Sequence, residues 1–242
     1  MPSRGPSTST MFANSSVNIS NKMAAETQRN QLSQQQANAG KSDAQRGQGE
    51  NQKQHIWIVT GPAGCGKTTV AVGLAKAFDL PYVEGDDYHP QSNKDKMAND
   101  IPLNDADRWD WLIQLREAAV KALSTPKSSD STTCPTGVVV TCSALKHKYR
   151  DVMRIAAYEH PSVSIHFIYL RADEKELMER VQARQGHFMK SNMVRSQFTA
   201  LEEPTEEEWD ASCVECGKSR TQDQVLQEAI SVVKKASEQQ SQ

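Results

Sequence analysis

The sequence predicts an α/β fold, a doubly wound parallel sheet of five strands with helices on both faces. Three observations carry this prediction. From His55 onward, short apolar runs alternate with segments of helical spacing. The first of these runs, Ile56–Thr60, leads directly into the glycine-rich string GPAGCGKT, Gly61 to Thr68. Further on, Gly137–Cys142 is apolar almost without interruption, as in a parallel strand covered on both faces.

Taken in order, Ile56–Thr60 is the first strand, and Thr69 to Phe78 has the composition of a helix. Pro81–Glu84 reads as a short second strand stopped by Gly85. Asp107–Leu123 carries Trp111, Leu112, Leu115, Ala118 and Ala119 at helical spacing. Ser124–Thr136, rich in Ser, Thr and Pro, is a loop before the strand Gly137–Cys142. Lys146–Ala157 is helical, Val163–Leu170 is the next strand, and Asp173–Arg184 is a helix with Asp173 as its N-cap. A last short strand lies around Val214, between Cys213 and Cys216, and Gln222–Lys235 closes the chain as an amphipathic helix.

Residues 1–54 differ in kind. They are rich in Ser, Asn, Gln, Thr and Gly, and Phe12, Val17, Ile19 and Leu32 are too few to build a core, so a disordered low-complexity tail is expected before a folded domain at 55–242. The tail is Ser-rich with scattered Arg4, Lys22 and Arg29, a faint echo of a transit peptide without its amphipathic helix. Met23 offers a second start. The net charge of -2 gives no footprint for nucleic acid or an anionic membrane, and no apolar stretch is long enough to span a bilayer. The five scattered cysteines suit a reducing compartment better than a disulfide framework. Cys213 and Cys216 form a C-x-x-C pair that no second pair or nearby histidine completes into a zinc site, and a short buried strand with small residues accounts for them better than a metal or redox role.

GPAGCGKT fits the pattern of a phosphate-binding loop, G-x-x-x-x-G-K-[ST]. Its glycines free the backbone to turn successive amides onto phosphate oxygens. Lys67 brings a mobile charge to the β- and γ-phosphates, Thr68 brings a hard oxygen for Mg²⁺, and the helix that follows presents its positive end to the same anion. The second strand ends in Glu84-Gly85-Asp86-Asp87-Tyr88-His89-Pro90, where a second substrate would sit in such a sheet, although a polar loop would read the same way. In Leu103 to Trp109, Asp107 either caps a helix and pairs with Arg108, or leaves Arg108 to clamp an anionic substrate. After the third strand, Thr141 to Lys146 lacks the aspartate that ordinarily serves Mg²⁺, which shifts that burden to Thr68 and Asp86. Arg180, Arg184, His187 and Lys190 are either a solvated basic helix end or, since Gly186 breaks the helix, a basic lid over about 185–200.

In this order, GPAGCGKT, EGDDYHP, Lys96-Met97 with IPLNDADRWDWL, TCSALKHKYRD, RVQARQGHF and SQFTALEEP closely resemble the gluconokinase family, small P-loop NTPase kinases of the shikimate kinase class. The resemblance runs from about His55 to Pro204. It implies ATP and Mg²⁺ as cofactors and D-gluconate as substrate, phosphorylated to 6-phospho-D-gluconate, in a cytosolic and often dimeric enzyme. Carried onto this sequence, it implies that Gly61, Pro62, Ala63, Gly64, Cys65, Gly66, Lys67, Thr68 and Thr69 cradle ATP while Arg180 lies by the adenine. Asp86 would accept the proton of the sugar hydroxyl, Arg108 and Lys146 would grip the acid and its polyol, and His89 and Ser143 would line the pocket. Arg184, carried in by the lid, would neutralise charge on the γ-phosphoryl. Asp87 and Asp110 depart from the family pattern, and the tail has no counterpart in the minimal enzyme.

Overall fold

The structure, a computed structural model, describes residues 53–126, 133–183 and 191–239. Five strands, β1 (Gln54–Thr60), β2 (Tyr82–Val83), β3 (Gly137–Thr141), β4 (Val163–Arg171) and β5 (Ala211–Glu215), form one sheet in the order β2-β3-β1-β4-β5. Every pairing is parallel, with Ile58 beside Val140 on one side and Phe167 on the other. The helices are α1 (Lys67–Ala77), α2 (Gln91–Ala98), α3 (Asp105–Leu123), α4 (His147–Glu159), α5 (Glu174–Ala183), α6 (Ser191–Ala200) and α7 (Gln222–Gln239).

The two-residue period of the strands divides the core. Ile56, Ile58, Val138, Val140, Ile165 and Phe167 pack with α3 and α4 residues such as Trp111, Leu115 and Met153. Their neighbours Trp57, Val59, Val139, Ile168 and Leu170 join Leu74 of α1 and Val225, Ala229 and Val233 of α7. Central strands buried on both faces explain the apolar runs Ile56–Val59 of β1, Val138–Val140 of β3 and Phe167–Leu170 of β4.

The doubly wound sheet agrees with the expectation, and the differences at element ends have local causes. Helix α3 begins at Asp105 because Asn104 and Asp107 form a capping box, each side chain accepting the other's backbone N–H at 3.0 Å. Strand β2 is only two residues long; Gly85 then runs so close to β3 that a Cβ would lie 2.0 Å from the Thr141 carbonyl oxygen. Edge strand β5 buries only Val214, which is why its sequence is poor in β-branched residues. Cys213 is exposed and Cys216 buried, and among the described residues no three His, Cys, Asp or Glu side chains gather as a metal cage. Helix α2 has no counterpart in the sequence reading. The tail before residue 53 lies outside the described residues, as do 184–190, so the expected lid is described only in its α6 portion.

Candidate active site

Helix α1 starts inside the glycine-rich string. Gly61, Gly64 and Gly66 have φ of 138°, 84° and 97°, the left-handed region that glycine enters without penalty. Side chains are also excluded by space: a Cβ on Gly61 would meet the Leu170 carbonyl oxygen at 2.8 Å. With Gly66 as N-cap and no side-chain cap, the first amides of α1 remain directed at an incoming anion. Lys67 Nζ donates to the carbonyl oxygens of Gly61 at 2.9 Å and Pro62 at 3.0 Å, which holds the loop around its own ammonium group.

A cavity of about 250 Å³ opens over this loop, lined by Ala63, Gly64, Gly66, Lys67, Thr68 and Thr69. Glu84, Asp86, His89, Arg108 and Ser143 line the same cavity. Gly61 and Pro62 lie behind the lining, and the buried Cys65 can offer only its backbone. On the far side of the loop a second hollow of about 220 Å³ is walled by Arg180, Cys216, Arg220 and Gln222, with Arg180 Nη2 donating to the Cys216 carbonyl oxygen at 2.7 Å. Arg180 thus borders the same hollow as Gly64, Cys65 and Gly66 of the loop.

Asp86 follows β2 on a short 3-10 turn, Gly85–Tyr88. Its side chain is 78% exposed to the open cavity yet set within concave walls. Those surroundings raise its pKa above the ordinary aspartate value; Lys67 opposes the shift, and the like charges of Glu84 and Asp87 add to it. His89 is buried, stacked on Trp111 with ring centroids 4.1 Å apart, and its Nε2 lies 3.9 Å from Asp86 Oδ1. Burial, then the charges of Arg108 and Lys94, lower its pKa to about 4, so His89 is neutral at pH 7 and forms no ion pair with Asp86. Trp111 Nε1 in turn donates to the Gly85 carbonyl oxygen at 2.7 Å, tying the acidic turn to α3.

The helix cap is Asn104, with Asp107 its capping-box partner from inside the helix; the ion partner of Asp107 is Lys96 at 2.5 Å, and Arg108 lines the cavity. Ser143 also reaches the cavity, and its carbonyl oxygen accepts from Thr60 Oγ1 at 2.6 Å. The next residue, Ala144, is held at a φ of 34°. Lys146 does not line this cavity. It borders an adjoining pocket of about 500 Å³ that shares Leu103, Arg108 and Gln197 with the first, and its Nζ donates to Asp105 Oδ1 at 2.8 Å. Arg184, His187 and Lys190 lie outside the described residues.

Two residues escaped the sequence reading. Glu84 accepts from Thr68 Oγ1 at 3.1 Å and also from the hydroxyls of Tyr82 and Thr141. Burial alone would raise the Glu84 carboxyl; hydrogen bonds from Thr141, Tyr82 and Thr68 outweigh it and hold the pKa below the ordinary glutamate value. A carboxylate therefore does stand beside Thr68, supplied from the end of β2 rather than β3. The only sequence signal was its place at a strand terminus. The other residue is Gln197 of α6, whose Oε1 accepts the Ala63 amide at 2.7 Å. It joins the phosphate loop to the helix after residues 184–190, a contact across 134 positions that no local pattern announces.

The donor set fits Mg²⁺. A threonine hydroxyl and a carboxylate 3.1 Å apart, with Asp86 on the same cavity, are hard oxygen ligands of few protein groups, which leaves room for phosphate oxygens and water.

Comparison with known proteins agrees with this geometry. Residues 56–207 match the family model described as AAA domain. The probable gluconokinase of Schizosaccharomyces pombe is 42% identical over 174 residues, covering 71% of this chain and 86% of that protein. The thermoresistant gluconokinase of Escherichia coli is 37% identical over 185 residues, covering 76% and 97%. A crystal structure of a gluconokinase from Sinorhizobium meliloti superposes with a TM-score of 0.63 at 33% identity, covering 78% of this chain and 97% of that one. With the phosphate loop, the acidic turn and the arginine of α3 around one cavity, the chain belongs to the gluconokinase family of P-loop kinases.

Proposed function

We propose that this chain transfers the γ-phosphoryl group of ATP to the terminal hydroxyl of D-gluconate, giving ADP and 6-phospho-D-gluconate. The observation that carries this reading is a single cavity lined both by the phosphate-binding loop with Lys67 and by Asp86, His89 and Arg108. The names borne by the relatives point the same way.

In this reading the loop amides and Lys67 hold the β- and γ-phosphates, and Arg180 borders the hollow that receives the base. Thr68 and Glu84, with Asp86, would hold Mg²⁺, which would supply charge neutralisation to the triphosphate when bound. Asp86 orients the terminal hydroxyl and takes its proton as the oxygen attacks phosphorus. A strong base is not needed, because phosphoryl transfer of this kind depends mostly on positioning and charge. Neutral His89 lines the polyol site without competing for the anion. Arg108, with Lys146 from the adjoining pocket, meets the carboxylate at the other end of the sugar acid. Arg184 joins the γ-phosphoryl from the segment after α5.

Free cysteines throughout the described residues support work in the reducing cytoplasm. A homodimer is the assembly implied by the family resemblance; Tyr158 and Trp209, 88% and 86% exposed on one shared groove, support it. The test of the function is an ATP-consumption assay across gluconate, related sugar acids, shikimate and nucleoside monophosphates. Turnover with gluconate well above the others is expected. Turnover confined to another acceptor, or none at all, would overturn the reading.

A further inference from the structure

The wall of the acceptor pocket contains an arrangement that binding alone does not require. Arg108 Cζ and Lys146 Nζ each lie 5.6 Å from the centre of the same aromatic ring, that of Tyr149. This is within the range at which a cation is attracted to the ring's negative face. Both cations line the same pocket, and like charges drawn toward one ring repel, so something must hold them there. The ring supplies attraction to both. Asp105, the first residue of α3, supplies the rest: its Oδ1 accepts from Lys146 Nζ and from the Tyr149 hydroxyl. The ring itself cannot drift, because Tyr149 is buried and meets Trp109 edge-on, with centroids 5.8 Å apart at 77°.

We infer that Tyr149 is a positioning residue for acid recognition, its ring spacing Arg108 and Lys146 as a two-cation seat for the acceptor's carboxylate. The seat rests on the reading above, in which these two cations meet that carboxylate. Arg108 belongs to α3 and Lys146 to the N-cap of α4, so the ring of Tyr149 sets the registration of two separate elements. A ligand carboxylate entering the pocket finds its partners already gathered and does not have to assemble them. The consequence is selectivity: an acid gains from the seat and a neutral polyol of the same length does not.

The test separates the ring from its bulk. Tyr149→Phe retains the π-face, and pentafluorophenylalanine at the same position retains the shape while reversing the ring's charge pattern. Steady-state kinetics are measured with gluconate and with glucitol, a neutral polyol of equal length. The phenylalanine variant is expected to keep its KM for gluconate within about twofold of the parent, and the fluorinated ring to raise it by about tenfold. The KM for ATP, and kcat/KM for glucitol, are expected to be the same in both. The inference is overturned if the two rings give the same KM for gluconate, or if the KM for ATP rises in parallel. Arg108→Ala and Lys146→Ala distinguish the underlying reading. Should both leave the KM for gluconate unchanged, the carboxylate does not bind here at all. Should both raise it while the fluorinated ring does not, only the role of Tyr149 fails.

Discussion

Replacing Arg150 tests how the fold holds the acceptor side of the site. Arg150 is 1% exposed and makes four hydrogen bonds. Its Nε and Nη2 grip Glu208 at 2.7 and 2.5 Å, and its Nη1 donates to the carbonyl oxygens of Ala144 and Glu202 at 3.2 and 3.0 Å. Arg154 adds a bond to Glu208 at 2.6 Å and bonds to Asp210. The network thus joins α4 both to the segment entering β5 and to the strained Ala144 beside Ser143. Removing one partner of a buried pair costs about 3–5 kcal/mol, because the other is left without compensation. Arg154 remains with Glu208, so Arg150→Met belongs at the lower end, about 3 kcal/mol. For a folded unit of this size that corresponds to a fall in Tm of about 6–12 °C. Circular dichroism melts of the parent, Arg150→Met, Glu208→Leu, and the double variant Arg150→Met with Glu208→Leu measure it. The double variant should be more stable than Arg150→Met, since no acid is then stranded. A drop of less than about 2 °C in the single variant, or a double variant that loses the full sum of the two single losses, would refute the reasoning.

Further outcomes follow from the site. Lys67→Ala should weaken ATP binding and lower kcat by about 10²-fold or more, read by titration calorimetry and steady-state kinetics; near-parental values would refute the loop assignment. Glu84→Gln and Asp86→Asn should separate: the first raises the Mg²⁺ concentration needed for half-maximal rate, the second lowers kcat by about 10²-fold with ATP affinity retained. A loss of Mg²⁺·ATP binding in Asp86→Asn would instead assign Asp86 chiefly to the metal. For pH, His166 stacks on Trp57 and its folded-state pKa is lowered to about 4, first by burial and then by His55. Because the folded value lies below the unfolded one, this contribution to stability is complete above about pH 6.5 and is lost as pH falls toward 4. Urea unfolding between pH 7 and 4 should show that decline, and His166→Phe should flatten it. An unchanged slope in the variant would mean that other groups dominate.

Much of the nucleotide half of the site was legible because its chemistry is local. The glycines, Lys67 and Thr68 lie within eight positions, between a strand and a helix whose periodicities are plain. The acceptor half was legible only in part. Asp86, His89 and Arg108 sit at element boundaries where polar residues attract notice, but Glu84 acquires its meaning from Thr68, Tyr82 and Thr141, the last 57 positions away. Helix α2 buries only Asn93, so it carries no apolar stripe to reveal it; Asn93 instead donates to the Asp107 carbonyl oxygen at 2.6 Å. Lys146 was named from the family resemblance alone; that it borders the adjoining pocket and donates to Asp105, a tertiary partner 41 positions distant, has no local signal. Periodicity finds elements that bury apolar faces; it is silent on polar contacts made between them.

The most direct test of the central claim is a crystal structure with gluconate and a non-hydrolysable ATP analogue bound together. The account predicts phosphates over the Gly61–Thr69 loop, the sugar's terminal hydroxyl against Asp86, and its carboxylate between Arg108 and Lys146. Gluconate bound with its carboxylate at Asp86, or outside the cavity that Lys67 and Arg108 share, would contradict it.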